Sequence, residues 1–173
     1  MAVRFICRIL GLCLVMVAAC TAAAAFPDDR EVLKFAAEAL GADASELAMA
    51  GDGQPSHTIL RNGTPAAFAG STWEIAHSAG YSGRPIDILV LIDTAAVVRG
   101  TKLISQQEPV LTLGIEPGQI DAFVAGFAGL DLKVSLQKAG EPRAGMPAAI
   151  AGATVSSGVI RSGVLRTARA LAV

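Results

Sequence analysis

The stretch whose residue types and spacing converge on chemistry is Ala151-Gly152-Ala153-Thr154-Val155-Ser156-Ser157-Gly158. Gly152 and Ala153 carry so little side-chain bulk that a large flat ligand can approach the backbone. Thr154 offers a hydroxyl, with those of Ser156 and Ser157 close by. The free N–H groups of a helix that follows point the same way, and hydroxyls at a helix N-terminus suit a phosphate. The same eight residues also read as a small-residue helix entry with Thr154 as a plain N-cap. The octapeptide alone leaves both readings open.

Other chemistries fail on residue type. His57 and His77 are the two histidines, twenty residues apart, with no HxxxH or carboxylate spacing around either. Cys7, Cys13 and Cys20 all fall in the first 25 residues, so no thiolate set, disulfide framework or cysteine nucleophile remains beyond them. No metal site is expected. There is no GxSxG elbow, Ser156 and Ser157 lie beside no recognisable base, and no carboxylate pair is singled out for glycoside chemistry. Lys and Arg number 14 against 15 Asp and Glu, and aromatics are 5% of the chain. Neither an electropositive field nor a base-stacking platform is present, so nucleic acid is not an expected partner.

The elements that must position the octapeptide come from a chain of 173 residues, 53% of them hydrophobic and 17% charged. That is enough for one domain with an ordinary core. Residues 1–25 have the layout of an export signal, with Arg4 and Arg8 ahead of an apolar run from Ile9 to about Ala19. Ala23-Ala24-Ala25 fits a signal-peptidase site before Phe26, and Val17-Ala18-Ala19-Cys20 resembles a lipobox that would lipidate Cys20. An uncleaved anchor is the third reading. All three place the folded part in the periplasm or outside the cell, and the last two associate it with the membrane.

Beyond the signal, Asp28-Asp29 caps a helix running to about Leu40, with Gly41 at its end. Residues 43–71 read as loop, with one short strand near Thr58–Leu60 and a turn at Asn62-Gly63, and Trp73–His77 as another short strand. Ile86–Ile92 is a strand covered on both faces, Asp93-Thr94 a turn, and Val97–Ser105 the returning strand with a bulge at Gly100. Glu108-Pro109 breaks that strand. Pro117 starts a helix with Ile120, Phe123, Val124 and Phe127 inward. Asp131–Leu136 is a strand candidate, Ala139–Pro147 a loop, and Val155–Ala172 a closing helix. The interleaving of strands and helices without a βαβ rhythm gives an α+β fold.

The order of Gly80–Asp93 (GYSGRPIDILVLID), Gly100–Ile115 (GTKLISQQEPVLTLGI), a helix ending in Phe127–Leu132 (FAGLDL), then AGATVSS and a closing helix resembles a known family. It is similar to the periplasmic FMN-binding domain of NosR/NirI-type proteins. That domain family also includes the flavin subunits of the sodium-pumping quinone reductase and the Rnf complex. The resemblance covers roughly Trp73 to Ala172, so residues 73–173 read as the FMN-binding domain and 26–72 as an N-terminal helix-and-loop region. It implies a twisted, mainly antiparallel sheet packed with helices.

The resemblance further implies that FMN is the cofactor and that a flavin transferase, taking FMN from FAD, esterifies its phosphate to Thr154. Gly152 and Ala153 complete the matching core of the family's S/T-G-A-T motif. Ala151 stands where the family has Ser or Thr, and Ala148 where it usually has Asp. Gln106-Gln107 replace paired histidines, while Glu108-Pro109 is intact. Tyr81 and Ser82, within the Gly80–Gly83 segment, and Glu108, Leu111, Thr112, Leu113 and Gly114 are placed around the flavin, with Ser156 and Ser157 at its phosphate. The expected function is that of an electron-carrying flavoprotein supporting nitrous oxide reductase or a related respiratory system, through a membrane or periplasmic redox partner. The alternative, motivated by Ala148 and Ala151, is a non-redox binding or assembly module, or a truncated remnant of a longer membrane protein, that keeps the fold without covalent flavin.

Overall fold

A computed structural model describes residues 26–51, 55–134 and 145–173. Residues 1–25, the expected export signal with its three cysteines, lie outside them. The order is α1 (Asp29–Leu40), a 3-10 turn (Ala44–Glu46), β1 (Leu47–Ala50), β2 (Ser56–Arg61), β3 (Thr64–Ser71), α2 (Thr72–Ala76), β4 (Ile86–Asp93), β5 (Val98–Gln106), α3 (Pro109–Gly114), α4 (Pro117–Ala125) and α5 (Thr154–Leu171). The strands form one five-stranded sheet in chain order, every pairing antiparallel. This is an α+β domain with helices on both faces of an antiparallel sheet.

Strand β4 explains the layering. All eight of its residues are buried, as a near-continuous apolar run requires. Ile86, Ile88, Val90 and Ile92 point into the larger core, with Leu111, Phe123, Phe127, Ile160 and Val164. Leu89 and Leu91 point to the opposite face, where Val32 and Ala36 of α1 cover them together with Ile59 and Ala67. The caps of α1 are those expected. The Asp28 carboxylate accepts the Glu31 N–H at 2.8 Å, and Gly41 takes φ 60° at the C-terminal end.

The expected β4–β5 hairpin is present. The Asp93 carboxylate accepts the N–H groups of Ala95 and Val97, each at 2.9 Å, and holds the turn. The register shifts where Leu91 pairs Gly100 and Ile92 pairs Val98, so the bulge lies beside Gly100. A second shift lies between Asp87 and Ile88.

Three local expectations are corrected, and one unassigned segment gains an element. Residues 43–71 are not mostly loop: they carry β1, β2 and β3. The run TPAAFAGS in β3 has only Thr64 and Phe68 of the residue types that mark strands, yet it pairs with both neighbours. Its small residues are required by what lies on them, since a Cβ at Gly70 would stand 2.4 Å from Ile75 Cδ1 and 3.2 Å from Leu171 Cδ2. Trp73–His77 is not a strand, because the Ser71 hydroxyl accepts the N–H groups of Trp73 (3.0 Å) and Glu74 (3.2 Å) and starts helix α2. Leu111–Gly114, assigned to no element in the sequence, is the body of α3, opened by Pro109 in the first helical turn, where its missing N–H costs nothing. Asp131 makes an isolated bridge to Val97 and then turns; residues 135–136 of that expected strand lie outside the described residues. The turn at Asn62-Gly63 is where it was expected, with φ 50° and 79°.

Among the described residues no helix is long and apolar enough to cross a membrane.

Candidate functional site

Helix α5 carries the site. Its buried stripe includes Ile160, Val164, Ala168 and Leu171. Gly163 lets it lie close on α2 and the residues just after it, where a Cβ would stand 2.6 Å from Ser78 Oγ and 3.6 Å from Thr72 Cβ. The segment leading into it is pinned by the helix itself. The Ser157 hydroxyl accepts the Ile150 N–H at 3.0 Å and donates to the Ala153 carbonyl at 2.8 Å. The Arg161 guanidinium donates to the Pro147 carbonyl at 3.0 Å. Gly152, at φ 80°, makes the turn that a side chain would strain.

The N-cap is Ala153, not Thr154, and no side chain caps this end. Thr154 is the first helical residue, exposed, and its hydroxyl has no hydrogen-bond partner among the described residues. The first turn holds no acidic residue, so nothing opposes an anion at its unpaired N–H groups. The plain N-cap reading of Thr154 is thereby excluded.

In front of this helix end lies a cleft of about 400 Å³ lined by Tyr81, Val110, Gly152, Ala153, Thr154, Val155 and Ser156. Its walls are mainly apolar, and several are unusually exposed for their type: Tyr81 86%, Val155 62%, Val110 47%. Five expected residues therefore meet here: Tyr81, Gly152, Ala153, Thr154 and Ser156. Val110 was missed, since a lone valine after Glu-Pro carries no chemical signal of its own. Ser157 is fully buried and serves the loop. Leu111 is in the core, Thr112 donates its hydroxyl to the Glu108 carbonyl at 2.9 Å, and Leu113 and Gly114 are exposed on α3 outside the lining.

Ser82 and Glu108 are outside the lining and bonded to each other. Glu108 is 1% exposed, and one of its carboxylate oxygens accepts both the Ser82 N–H, at 3.1 Å, and the Ser82 hydroxyl. Gln106 takes the Glu108 N–H at 2.8 Å, and Gln107 accepts from Arg84 at 3.0 Å.

The histidines have structural surroundings. His57 stacks on Phe26 at 5.1 Å between ring centroids, and His77 ends α2 beside Trp73 at 6.2 Å. Among the described residues no three His, Cys, Asp or Glu side chains converge on a point.

No family model matches the chain. Part of it is similar to protein NirI of Paracoccus denitrificans, with 47% identity over 78 residues, which is 45% of this chain and 12% of that protein. Regulatory protein NosR of Pseudomonas aeruginosa is 31% identical over 78 residues, 44% of this chain and 11% of that protein. NosR of Stutzerimonas stutzeri is 29% identical over 87 residues, 50% of this chain and 12% of that protein. The chain thus spans about an eighth of the length of these relatives. The matches support a NosR/NirI-type relationship for nearly half of the chain.

Proposed function

We propose that this chain is a periplasmic flavin-carrying electron-transfer module related to NosR and NirI, with FMN seated in the cleft at the start of α5 and its phosphate joined to Thr154. The observation that carries the reading is the free, exposed hydroxyl of Thr154 on an uncapped helix N-terminus that opens on an apolar cleft with an exposed tyrosine. The residues fit the group. An aromatic and apolar wall suits a flat ring, and unpaired N–H groups suit a phosphate.

Attachment uses Thr154 Oγ1 as the nucleophile. A transferase supplies FAD, a new P–O bond forms to the threonine oxygen, the phosphoanhydride bond breaks, AMP leaves and the hydroxyl proton is released. The bound flavin supplies one- and two-electron chemistry. The chain's own residues fix its position: Tyr81 and Val110 flank the ring, and the first turn of α5 holds the phosphate. Because the Thr154 hydroxyl makes no hydrogen bond among the described residues, esterifying it breaks none of those bonds. The similarity to NirI and NosR supports a role in denitrification, with a membrane or periplasmic redox partner and a flavin transferase as partners.

The test is intact-mass spectrometry of the chain coexpressed with a flavin transferase. Wild type should carry one FMN-sized adduct and Thr154→Ala none. An equal adduct on both would place attachment elsewhere. A colourless wild type would favour the second reading, a flavin-free assembly module, for which Ala148 and Ala151 are the motivating residues.

A further inference from the structure

Tyr81 presents a difficulty that its neighbours resolve. It is 86% exposed, so no packing of its own ring holds it at the cleft. Its position is set by its backbone, and that backbone is tied down from beneath. The Gly80 N–H donates to the Arg84 carbonyl at 2.8 Å and the Gly83 N–H to the Gly80 carbonyl at 3.0 Å, closing a tight loop. Glu108 enters under it. The carboxylate takes both Ser82 donors and lies so close to Gly80 that a Cβ there would stand 2.1 Å from Glu108 Oε1. Arg84 to Gln107 makes a parallel tie at 3.0 Å.

The other side of Glu108 belongs to the second wall. Its carbonyl accepts the Thr112 N–H at 2.9 Å as α3 begins, and Val110, two residues on, lines the cleft. Glu108 itself is buried and outside the lining. No basic side chain lies within ion-pair distance of it among the described residues. Burying a carboxylate is costly unless its bonds are made, so its two ties to Ser82 hold the loop to α3.

We propose that Glu108 is a positioning residue: its carboxylate locks the Gly80–Gly83 loop to the start of α3, so that Tyr81 and Val110 are held as a preformed pair of walls for a flat aromatic ligand. The proposal rests on the flavin reading for the identity of that ligand, and on the hydrogen bonds alone for the lock. A preformed wall lowers the ordering cost of binding. Releasing it weakens binding and also removes the ring-on-ring contact by which a tyrosine quenches flavin fluorescence.

The experiment is a titration of FMN into the purified chain, following flavin fluorescence to saturation, for wild type, Glu108→Ala, Glu108→Gln, Ser82→Ala and Tyr81→Leu. Glu108→Ala is expected to bind FMN about tenfold more weakly, as lost preorganisation predicts. At saturation it should fluoresce as brightly as Tyr81→Leu. Glu108→Gln keeps an acceptor under Ser82 and should restore quenching. Ser82→Ala leaves the carboxylate in place, and should shift binding in the same direction by less. Wild-type quenching at saturation in both Glu108→Ala and Ser82→Ala would overturn the proposal.

Failure of wild type to bind free FMN leaves the flavin reading to be decided by intact mass after coexpression with the transferase, and the lock is then read directly by chymotryptic cleavage after Tyr81 in the flavin-free chain. Cleavage about tenfold faster in Glu108→Ala than in wild type or Glu108→Gln, as expected for an opened segment, supports it. Equal rates overturn it.

Discussion

The Ser157 hydroxyl and the Ile150 N–H are joined at 3.0 Å across the turn that presents Thr154. One side chain, buried within α5, therefore sets the path of the chain entering its own helix. Ser157→Ala leaves that buried N–H unpaired and should cost about 1–3 kcal/mol. A fall in thermal midpoint beyond that of any exposed serine substitution on α5, such as Ser162→Ala, is the check.

Thr154→Ala should behave in the opposite way. The threonine is not the N-cap and its hydroxyl has no partner among the described residues, so its loss should change stability by no more than about 0.5 kcal/mol. Chemical denaturation should show this in the variant that carries no flavin. A loss near the ~1 kcal/mol of a missing cap would return Thr154 to the capping role.

Ala148 and Ala151 are both exposed, so larger polar residues can be accommodated there without disturbing the core. Ala148→Asp with Ala151→Ser should raise the fraction of chain carrying FMN when coexpressed with the transferase. The double variant should keep its midpoint within about 2 °C, as expected for surface changes. Intact mass and a thermal melt on the same samples separate the two effects.

The Asp93 carboxyl has competing influences. Its burial pushes its pKa up, but the Val97 N–H, Arg99 and the Ala95 N–H together outweigh this and hold it below its ordinary value of 3.8. A folded-state pKa below the unfolded one means that this contribution is fully present above the unfolded value. It is lost as pH falls through the folded value. The stability difference between wild type and Asp93→Asn should thus be constant near neutrality and shrink below about pH 4. Arg99, 49% exposed at its side chain, contributes only weakly in salt. Urea midpoints at several pH values measure the difference.

Val90 is fully buried in the larger core, so Val90→Asp would bury an unpaired charge and should unfold the domain or cost several kcal/mol. Hydrogen exchange in wild type should find the β4 amides among the slowest. Fast exchange there would contradict its place in the sheet centre.

The sequence was most legible where one physical signal dominates. The branched run of Ile86–Ile92, the Asp28 and Gly41 caps, and the stripe of Ile160, Val164 and Ala168 each state their element alone. β3 was illegible because its small residues answer to what packs on them, Ile75 and Leu171 on Gly70 and the α1 cluster on Ala67 and Ala69, all from other elements. α2 was missed because Ser71 reads as the end of a loop, and Trp73–His77 as a strand, until the Ser71 hydroxyl is seen under two N–H groups. In the site, glycine, alanine and threonine before a helix singled out Thr154 as a candidate, but left its ligand and capping readings open, and its expected attachment role came only from the family resemblance. The separate roles of Ser157 and Glu108 were not legible, because burial turns a polar residue from a ligand contact into a support, and burial is settled only by the tertiary structure.

The two faces of the sheet have a practical consequence for wiring the molecule to a surface. Phe26 packs with the α1 cluster, on the side of β4 opposite Ala153 and the core beneath the cleft. A linker joined ahead of Phe26 to an electrode or bead therefore leaves the domain on the side away from Thr154. A molecule presented that way would keep the mouth of the cleft open to solution, with the whole thickness of the sheet between it and the support.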